Sequence, residues 1–297
     1  MRILLIYNAY SGNRCFTEKI DYVVSRFQKK DYDVLLHRIE NNEKLEGVIK
    51  KIAENQSKYA KVVIAGGDGT INSVINLIVK HDVFIPVGLY PVGTCNDFSG
   101  QFQLGGKDIK RQTDIILGDN FEYSDVGKIN DRYFINVACF GMLVTAGQRT
   151  DSNAKKILGP FAYYISALEE FMQMQTLDVS IRSDEMSVDE CVHFVLIVKG
   201  SSAGGFNKIG GENRSPSDGV FEVCILKKCS VLGIPEIFFS TLAGTHTQNE
   251  NIISFRTSRL RVSSLQENIY TDIDGERGPC LPLEVSIVPK RLKILCG

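Results

Sequence analysis

The run KVVIAGGDGTINSVINLI at residues 61–78 reads as a strand, a glycine turn and a helix in immediate succession. Residues 61–65 read as a strand, apolar after Lys61. Gly66-Gly67-Asp68-Gly69-Thr70 closes them. Ile71, Val74, Ile75 and Ile78 then recur at i, i+3, i+4 and i+7, one face of a helix. The same alternation extends both ways. Towards the N-terminus, residues 2–7 predict a strand that meets the polar loop Asn8-Ala9-Tyr10-Ser11-Gly12-Asn13. A helical face follows at Ile20, Val23, Val24 and Phe27, then a strand over 32–37 and a second face at Leu45, Val48, Ile49 and Ile52. Towards the C-terminus, residues 84–90 predict a fourth strand, closed by Pro91-Val92-Gly93-Thr94-Cys95-Asn96-Asp97. Strands alternating with helices predict a parallel sheet covered on both faces. Ligands of such sheets bind beyond the carboxyl ends of the strands, where the loops after strands one, three and four lie.

From about residue 121 the texture changes. Strand-like runs dominate at 121–126, 133–140, 177–183, 192–199, 220–226, 259–263, 269–273 and 283–288, with helices only near 159–174 and within 230–243. Short strands between turn residues predict an antiparallel β-sandwich. The expected division is an α/β domain over 1–124 and a β-sandwich domain over 125–289, with the tail 290–297 returning to the first.

The chain has 297 residues, 43% hydrophobic and 23% charged, which excludes a disordered or fibrous protein. Lys+Arg of 34 against Asp+Glu of 35 gives a net charge of -1, without the basic footprint of a nucleic-acid binder. No apolar run approaches the ~20 residues that span a bilayer, and the first strand is too short for a signal-peptide core. The eight cysteines (15, 95, 139, 191, 224, 229, 280 and 296) form no C-x-x-C pair, and the four histidines are scattered. Reduced thiols in a cytoplasmic chain without a zinc site are expected.

In the string at 66–70, glycines let the backbone approach a ligand, turn amides point at phosphates, and a helix N-terminus lies directly behind. The carboxylate of Asp68 has the reach to meet a magnesium ion or its waters. A plain strand-to-helix turn would need only two of these glycines. In the second loop Thr94, Asn96 and Asp97 supply a hydroxyl, an amide and a carboxylate; helix capping is the alternative use of Asn96 and Asp97. A P-loop of the form G-x-x-x-x-G-K-[ST] is absent. Late in the chain, Gly275 separates Asp274 from Glu276 after a strand. Acids so close tend to raise one pKa, which suits a general base, although a solvated acidic turn has the same composition.

The combination resembles the bacterial lipid kinases of the diacylglycerol kinase catalytic-domain family. It is carried by Asn8 with Ser11-Gly12, GGDGT at 66–70 with Asn72, Pro91-x-Gly93-Thr94-x-Asn96-Asp97-Phe98, Asp125-x-Gly127, Asn136, Phe140-Gly141, Gly204-Gly205, Pro216-x-Asp218-Gly219 and Asp274-Gly275-Glu276. NAD kinases carry a string similar to GGDGT alone. The resemblance implies an N-terminal α/β domain that holds ATP, a C-terminal β-sandwich, and ATP-dependent phosphorylation of a lipid hydroxyl, most simply diacylglycerol. It places ATP against Asn8, Ser11, Gly12, Gly66, Gly67, Asp68, Gly69, Thr70, Ile71, Asn72, Thr94, Asn96 and Asp97. The general base falls on Glu276, with Asp274 and Asp68 beside it in the chemistry. A structural Mg²⁺ falls at Ser215, Asp218 and Val220, and Asp125 matches a further acidic position. The chain departs from the pattern at Ala9, where proline is usual, and over 38–42, where the family often has a threonine.

The implied partners are ATP and a lipid at the inner membrane surface, which a protein without a membrane span must visit; a homodimer is compatible with this. Arg149, Lys155 and Lys156 are candidates for anionic headgroups. Arg14 could meet the polyphosphate, and the apolar face Phe161, Tyr164, Ile165, Leu168, Phe171 and Met172 could line an acyl chain; a solvated charged face and an ordinary core face are the alternatives. Two rivals remain: a kinase of a soluble acceptor, as in NAD kinases, and a nucleotide- or lipid-binding regulator without turnover.

Overall fold

The computed structural model describes residues 1–11, 16–104, 108–141, 176–200, 202–203, 206–207, 214–229 and 249–297. The chain divides into two compact units: Met1–Val126 with Ser215–Asp218 and Val288–Gly297, and Gly127–Arg214 with Gly219–Ile287.

The first unit is built on strands β1 (Arg2–Tyr7), β2 (Asp33–Arg38), β3 (Tyr59–Gly66) and β4 (Val87–Pro91), between which run α1 (Ile20–Gln28), α2 (Asn42–Ala53) and α3 (Asp68–Lys80). The strands are parallel in the order β2-β1-β3-β4. Central strands β3 and β4 are buried over 61–66 and Val87–Pro91 because both faces are covered, and the one charged side chain there, Lys61, donates to the carbonyls of Ile116 and Gly118; edge strand β2 leaves Leu35 and Leu36 exposed. Ile3, Leu5, Val63 and Ala65 pack with Val23 and Phe27 of α1 and with Phe16 and Tyr90. Each Val, Leu, Ile or Phe side chain so buried contributes roughly 1.5–3 kcal/mol. Asn41 caps α2, its side-chain oxygen accepting from Lys44 N–H at 2.9 Å.

Strand β4 starts at Val87, three residues later than the apolar pattern predicts. Pro86 has no N–H for a ladder, and Phe84 is 60% exposed with its amide donating to Gln56. Two helices follow, α4 (Asp97–Gly100) and α5 (Ile109–Leu117).

The second unit is antiparallel. Strand β5 (Phe121–Ile129) leads into it, followed by β6 (Arg132–Phe134), β7 (Val137–Gly141), β8 (Leu177–Ser183) and β9 (Ser187–Val198). Two short strands, β10 (Ser202–Ala203) and β11 (Phe206–Asn207), pair with each other. Then come β12 (Phe221–Lys227), β13 (Ile252–Thr257), β14 (Arg259–Ser264), β15 (Tyr270–Ile273), β16 (Glu276–Cys280) and β17 (Leu283–Leu295). The order β16-β15-β7-β9-β8-β14-β17 continues the sandwich, with β12 against β9 and β13. Its core holds Phe134, Phe140, Val179, Ile181, Val195, Ile197, Phe221 and Val223, and Phe134 stacks on Phe221 at 5.5 Å. The end of β17 belongs to the first unit, where Ile294 pairs in parallel with Val87.

The single strand expected over 133–140 is two, broken at Ile135–Asn136. The amides of Ile135, Asn136 and Val137 leave the ladder and turn to the carboxylate of Asp274. The helices expected near 159–174 and within 230–243 lie outside the described residues.

Candidate functional site

Parallel strands put the loops after β1, β3 and β4 on one edge of the first unit. There β3 ends at Gly66, Gly67 precedes α3 in an extended conformation, and no side chain caps that helix. The first intrahelical bond runs from Ile71 N–H to Gly67 C=O. The amides of Asp68, Gly69 and Thr70 are therefore without intrahelical acceptors, as at any helix N-terminus, and suit an anionic group.

The three loops are tied together. Asn8 donates through Nδ2 to Thr70 Oγ1 at 3.2 Å, and its Oδ1 accepts from Tyr10 N–H at 3.0 Å. Gly67 and Gly93 meet back to back: a Cβ on Gly93 would lie 2.6 Å from Gly67 Cα. Asn96 adopts a left-handed conformation with φ 57°. Its side chain closes the second loop by accepting from Gly93 N–H at 2.9 Å and donating to Gly93 C=O at 3.1 Å. Asp68 accepts from Asn96 N–H at 2.7 Å and from Phe98 N–H at 3.3 Å, so both its oxygens are engaged across the two loops.

Of the other residues singled out on this edge, Thr94 is exposed, Asp97 opens α4, and Ser11 donates its amide to Asn8 C=O at 3.3 Å. Ile71 and Asn72 are buried on the inner side of α3, and Asn72 Oδ1 accepts from Asn76 at 2.8 Å. Their side chains belong to the core rather than to the edge. At the end of β2, in the stretch where the family often has a threonine, Arg38 lies 5.6 Å from the centre of the Tyr10 ring, with a 3.4 Å hydrogen bond to the Tyr10 hydroxyl. Asp125 is buried and accepts from Lys290 N–H at 2.7 Å. Gly12, Arg14, Arg149, Lys155, Lys156, Gly204, Gly205 and the apolar face over 161–172 lie outside the described residues.

In the second unit β15 and β16 form a hairpin whose two-residue loop is Asp274-Gly275, with Ile273 paired to Glu276. Both loop residues have positive φ, 51° and 86°, which is the turn that Asp-Gly favours because glycine carries no Cβ to clash. The Asp274 carboxylate accepts from Ile135, Asn136 and Val137 N–H at 2.8, 3.0 and 2.8 Å. Glu276 points elsewhere: its side chain is 49% exposed and one oxygen lies 3.1 Å from Arg132 Nη2. The two acids of the turn are thus different in kind, one anchored and one presented.

Among the described residues, the carboxyl group held above its ordinary value is Asp272, which the sequence did not single out. Burial is the main cause, the Glu276 charge adds to it, and the hydrogen bond from Gly275 N–H opposes it. Three acids at alternate positions 272, 274 and 276 were its visible signal.

For the expected structural metal, the donors are less suited. Val220 C=O, a candidate ligand, accepts from the Arg214 guanidinium at 2.6 Å, and Ser215 Oγ lies 3.4 Å from Ser217 Oγ. Like unit charges about 4 Å apart repel by about 4 kcal/mol at an effective dielectric of ~20. A divalent ion at that carbonyl would meet about twice this repulsion. Among the described residues no group of three or more His, Cys, Asp or Glu side chains is placed to hold a metal.

Residues 2–129 match the model of the diacylglycerol kinase catalytic domain, and residues 136–296 that of the YegS C-terminal NAD kinase beta sandwich-like domain. The chain is 32% identical to a diacylglycerol kinase of Staphylococcus carnosus (strain TM300), over 95% of this chain and 90% of that one. It is 30% identical to a diacylglycerol kinase of Bacillus subtilis (strain 168), over 95% and 92%. A crystal structure of a diacylglycerol kinase from Bacillus anthracis str. Sterne superposes with a TM-score of 0.80 at 21% identity, covering 100% of this chain and 97% of that one, which establishes the likeness of fold.

Proposed function

The chain belongs to the diacylglycerol kinase family and is a lipid kinase, and from this we propose that it transfers the γ-phosphoryl group of ATP to the hydroxyl of diacylglycerol. The observation that carries the nucleotide half is the uncapped N-terminus of α3, framed by Gly67 and Gly93 and tied to Asn8 and Asn96. The amides of Asp68, Gly69 and Thr70 would hold the polyphosphate, and Asp68 would keep the second loop, with Thr94 on it, against them. Mg²⁺ would arrive with ATP and supply neutralising charge to the phosphates.

Glu276 would take the proton of the lipid hydroxyl as its oxygen bonds to phosphorus and ADP leaves. It is the presented acid of the turn, and Asp274 is the one that fixes the turn. Because diacylglycerol resides in a membrane, we place the reaction at a membrane surface; among the described residues no helix is long and apolar enough to cross one.

The test is incubation with γ-labelled ATP and Mg²⁺ plus detergent micelles of separate lipid classes, with NAD and no acceptor as further arms. Label in phosphatidic acid from diacylglycerol is the expected result. Label confined to another lipid corrects the substrate. Label in NAD, or none in any arm, overturns the reading.

A further inference from the structure

Arg132, in the second unit, has no part in the reaction as described above. It sits at the start of β6, a strand that pairs with β5 and not with β16. Its side chain nevertheless crosses to the acidic hairpin. Nη1 donates to Arg277 C=O at 2.6 Å and Nη2 donates to Glu276 Oε2 at 3.1 Å. One planar guanidinium therefore grips the side chain of one residue and the backbone of the next.

We propose that Arg132 is a positioning residue for the catalytic base, fixing the Glu276 carboxylate in one rotamer through a two-point contact with Glu276 and Arg277. This rests on the lipid-kinase reading above.

An isolated surface pair would carry little, since both side chains are substantially exposed, 39% and 49%. Two features distinguish this one. The short bond to the Arg277 carbonyl holds the guanidinium whether or not Glu276 is present. The neighbouring residues 135–137 donate three amides to Asp274, so a single six-residue stretch, 132–137, holds the hairpin at both acids. The far side of the hairpin is held as well, by the Arg277 guanidinium 3.5 Å from the centre of the Tyr270 ring. A free glutamate would have several rotamers to lose when it meets a hydroxyl, up to roughly 2 kcal/mol of entropy. Holding it in advance removes that loss, and a misplacement of ~1 Å at a reacting group can cost ~10²-fold in rate.

The experiment uses the full chain with Arg132→Met and Arg132→Lys, each alone and with Glu276→Gln. Arg132→Met should lower kcat by about 10–100-fold and leave KM for ATP unchanged, with Arg132→Lys recovering part of the loss. In the Glu276→Gln background the same change should cost nothing further, because residues that act as a unit are not additive. An equal loss in both backgrounds would show a merely structural role and overturn the proposal. A second readout needs no lipid turnover: carbodiimide labelling of Glu276, read by peptide mass spectrometry, should rise several-fold in Arg132→Met. Unchanged labelling in both Arg132 variants also overturns it. If the wild type phosphorylates no lipid, the lipid-kinase reading fails while the labelling still decides whether Arg132 holds Glu276.

Discussion

The carboxylate of Asp68 accepts the backbone N–H of Asn96 at 2.7 Å, joining the first turn of α3 to a loop 28 residues later. A second bond from Phe98 N–H, at 3.3 Å, uses its other oxygen. Asp68 is thus the clasp between the two glycine loops, whatever else it meets when ATP is bound. Asp68→Asn keeps one acceptor oxygen but sets an NH₂ group against the other amide. Hydrogen bonds to charged groups contribute about 1.5–3 kcal/mol, so KM for ATP should rise by roughly 10–100-fold. Steady-state kinetics together with a melting curve check this. A variant with normal ATP kinetics would show that the clasp is irrelevant to nucleotide binding.

Gly69 separates stability from binding. A Cβ there would meet nothing within 4 Å, and the residue lies in the first turn of α3. Alanine is favoured over glycine in a helix by ~1 kcal/mol, so Gly69→Ala should leave Tm unchanged or slightly raised. If a phosphate rests on this turn, the added methyl group meets it, and ATP affinity should fall. Calorimetric titration with ATP or a non-hydrolysable analogue reads the affinity. A variant as stable as expected that binds ATP normally would remove the phosphates from this helix end.

What the sequence displays well is what depends on neighbours in sequence. The 3.6-residue faces of α1, α2 and α3 and the apolar runs of β1 and β3 are local patterns, and so is the Asp-Gly hairpin loop. The errors share a cause of the opposite kind. The break at Ile135–Asn136 is made by Asp274, 138 residues away from Asn136. Strand β16, with the sequence ERGPC, has the composition of a loop. It is a strand because β15 pairs with it and Pro279 C=O accepts from Thr271 Oγ1 at 2.8 Å. Helix α5 escaped because polar Gln112 and Thr113 fill buried positions on its inner face. In the same way GGDGT announces itself, while the grip of Arg132 on Glu276 spans 144 residues and leaves no pattern.

The guanidinium on Val220 C=O makes a prediction about metal. Without nucleotide, Tm should be the same in millimolar MgCl₂ as in EDTA. Arg214→Ala should lower Tm, because Val220 C=O and Gly200 C=O both lose a donor. Leaving a buried acceptor unsatisfied costs about 1–3 kcal/mol. A ligand that binds only the native state raises its stability. A Tm that climbs with Mg²⁺ alone, and no longer does so in Asp218→Asn, would restore the metal site expected from the resemblance.

Asp272 gives a pH dependence whose sign is set. Its carboxyl group is raised above the ordinary 3.8 by burial first and by the Glu276 charge second. The folded chain therefore holds the Asp272 proton more tightly than the unfolded chain. Ionisation costs stability as pH rises from the unfolded value through the folded one, and the cost is absent below the unfolded value. Asp272→Asn removes the charge and keeps an oxygen for Gly275 N–H. It should raise Tm at neutral pH, with the gain disappearing as pH falls towards 3.8. A gain that persists in acid would assign the effect to packing instead.

The two acids of the hairpin should separate by the kind of damage their loss does. Asp274 accepts three backbone amides, two on one oxygen and one on the other. In Asp274→Asn, whichever way the amide turns, its NH₂ group faces at least one of those N–H donors. A donor against a donor leaves both unsatisfied, at about 1–3 kcal/mol each, so Tm should fall by several degrees along with activity. Glu276 is half exposed, and Gln preserves its shape and an oxygen for Arg132. Glu276→Gln should melt like the wild type and bind ATP like the wild type. Its kcat should fall by about 10²–10⁴-fold, the usual contribution of a positioned base. Melting curves and steady-state kinetics on both variants decide the matter. If Glu276→Gln turns over lipid normally while a fully folded Asp274→Asn is inactive, the base is Asp274 and the anchoring amides orient it. If both folded variants remain active, the proton leaves the lipid hydroxyl by another route and the hairpin is structural.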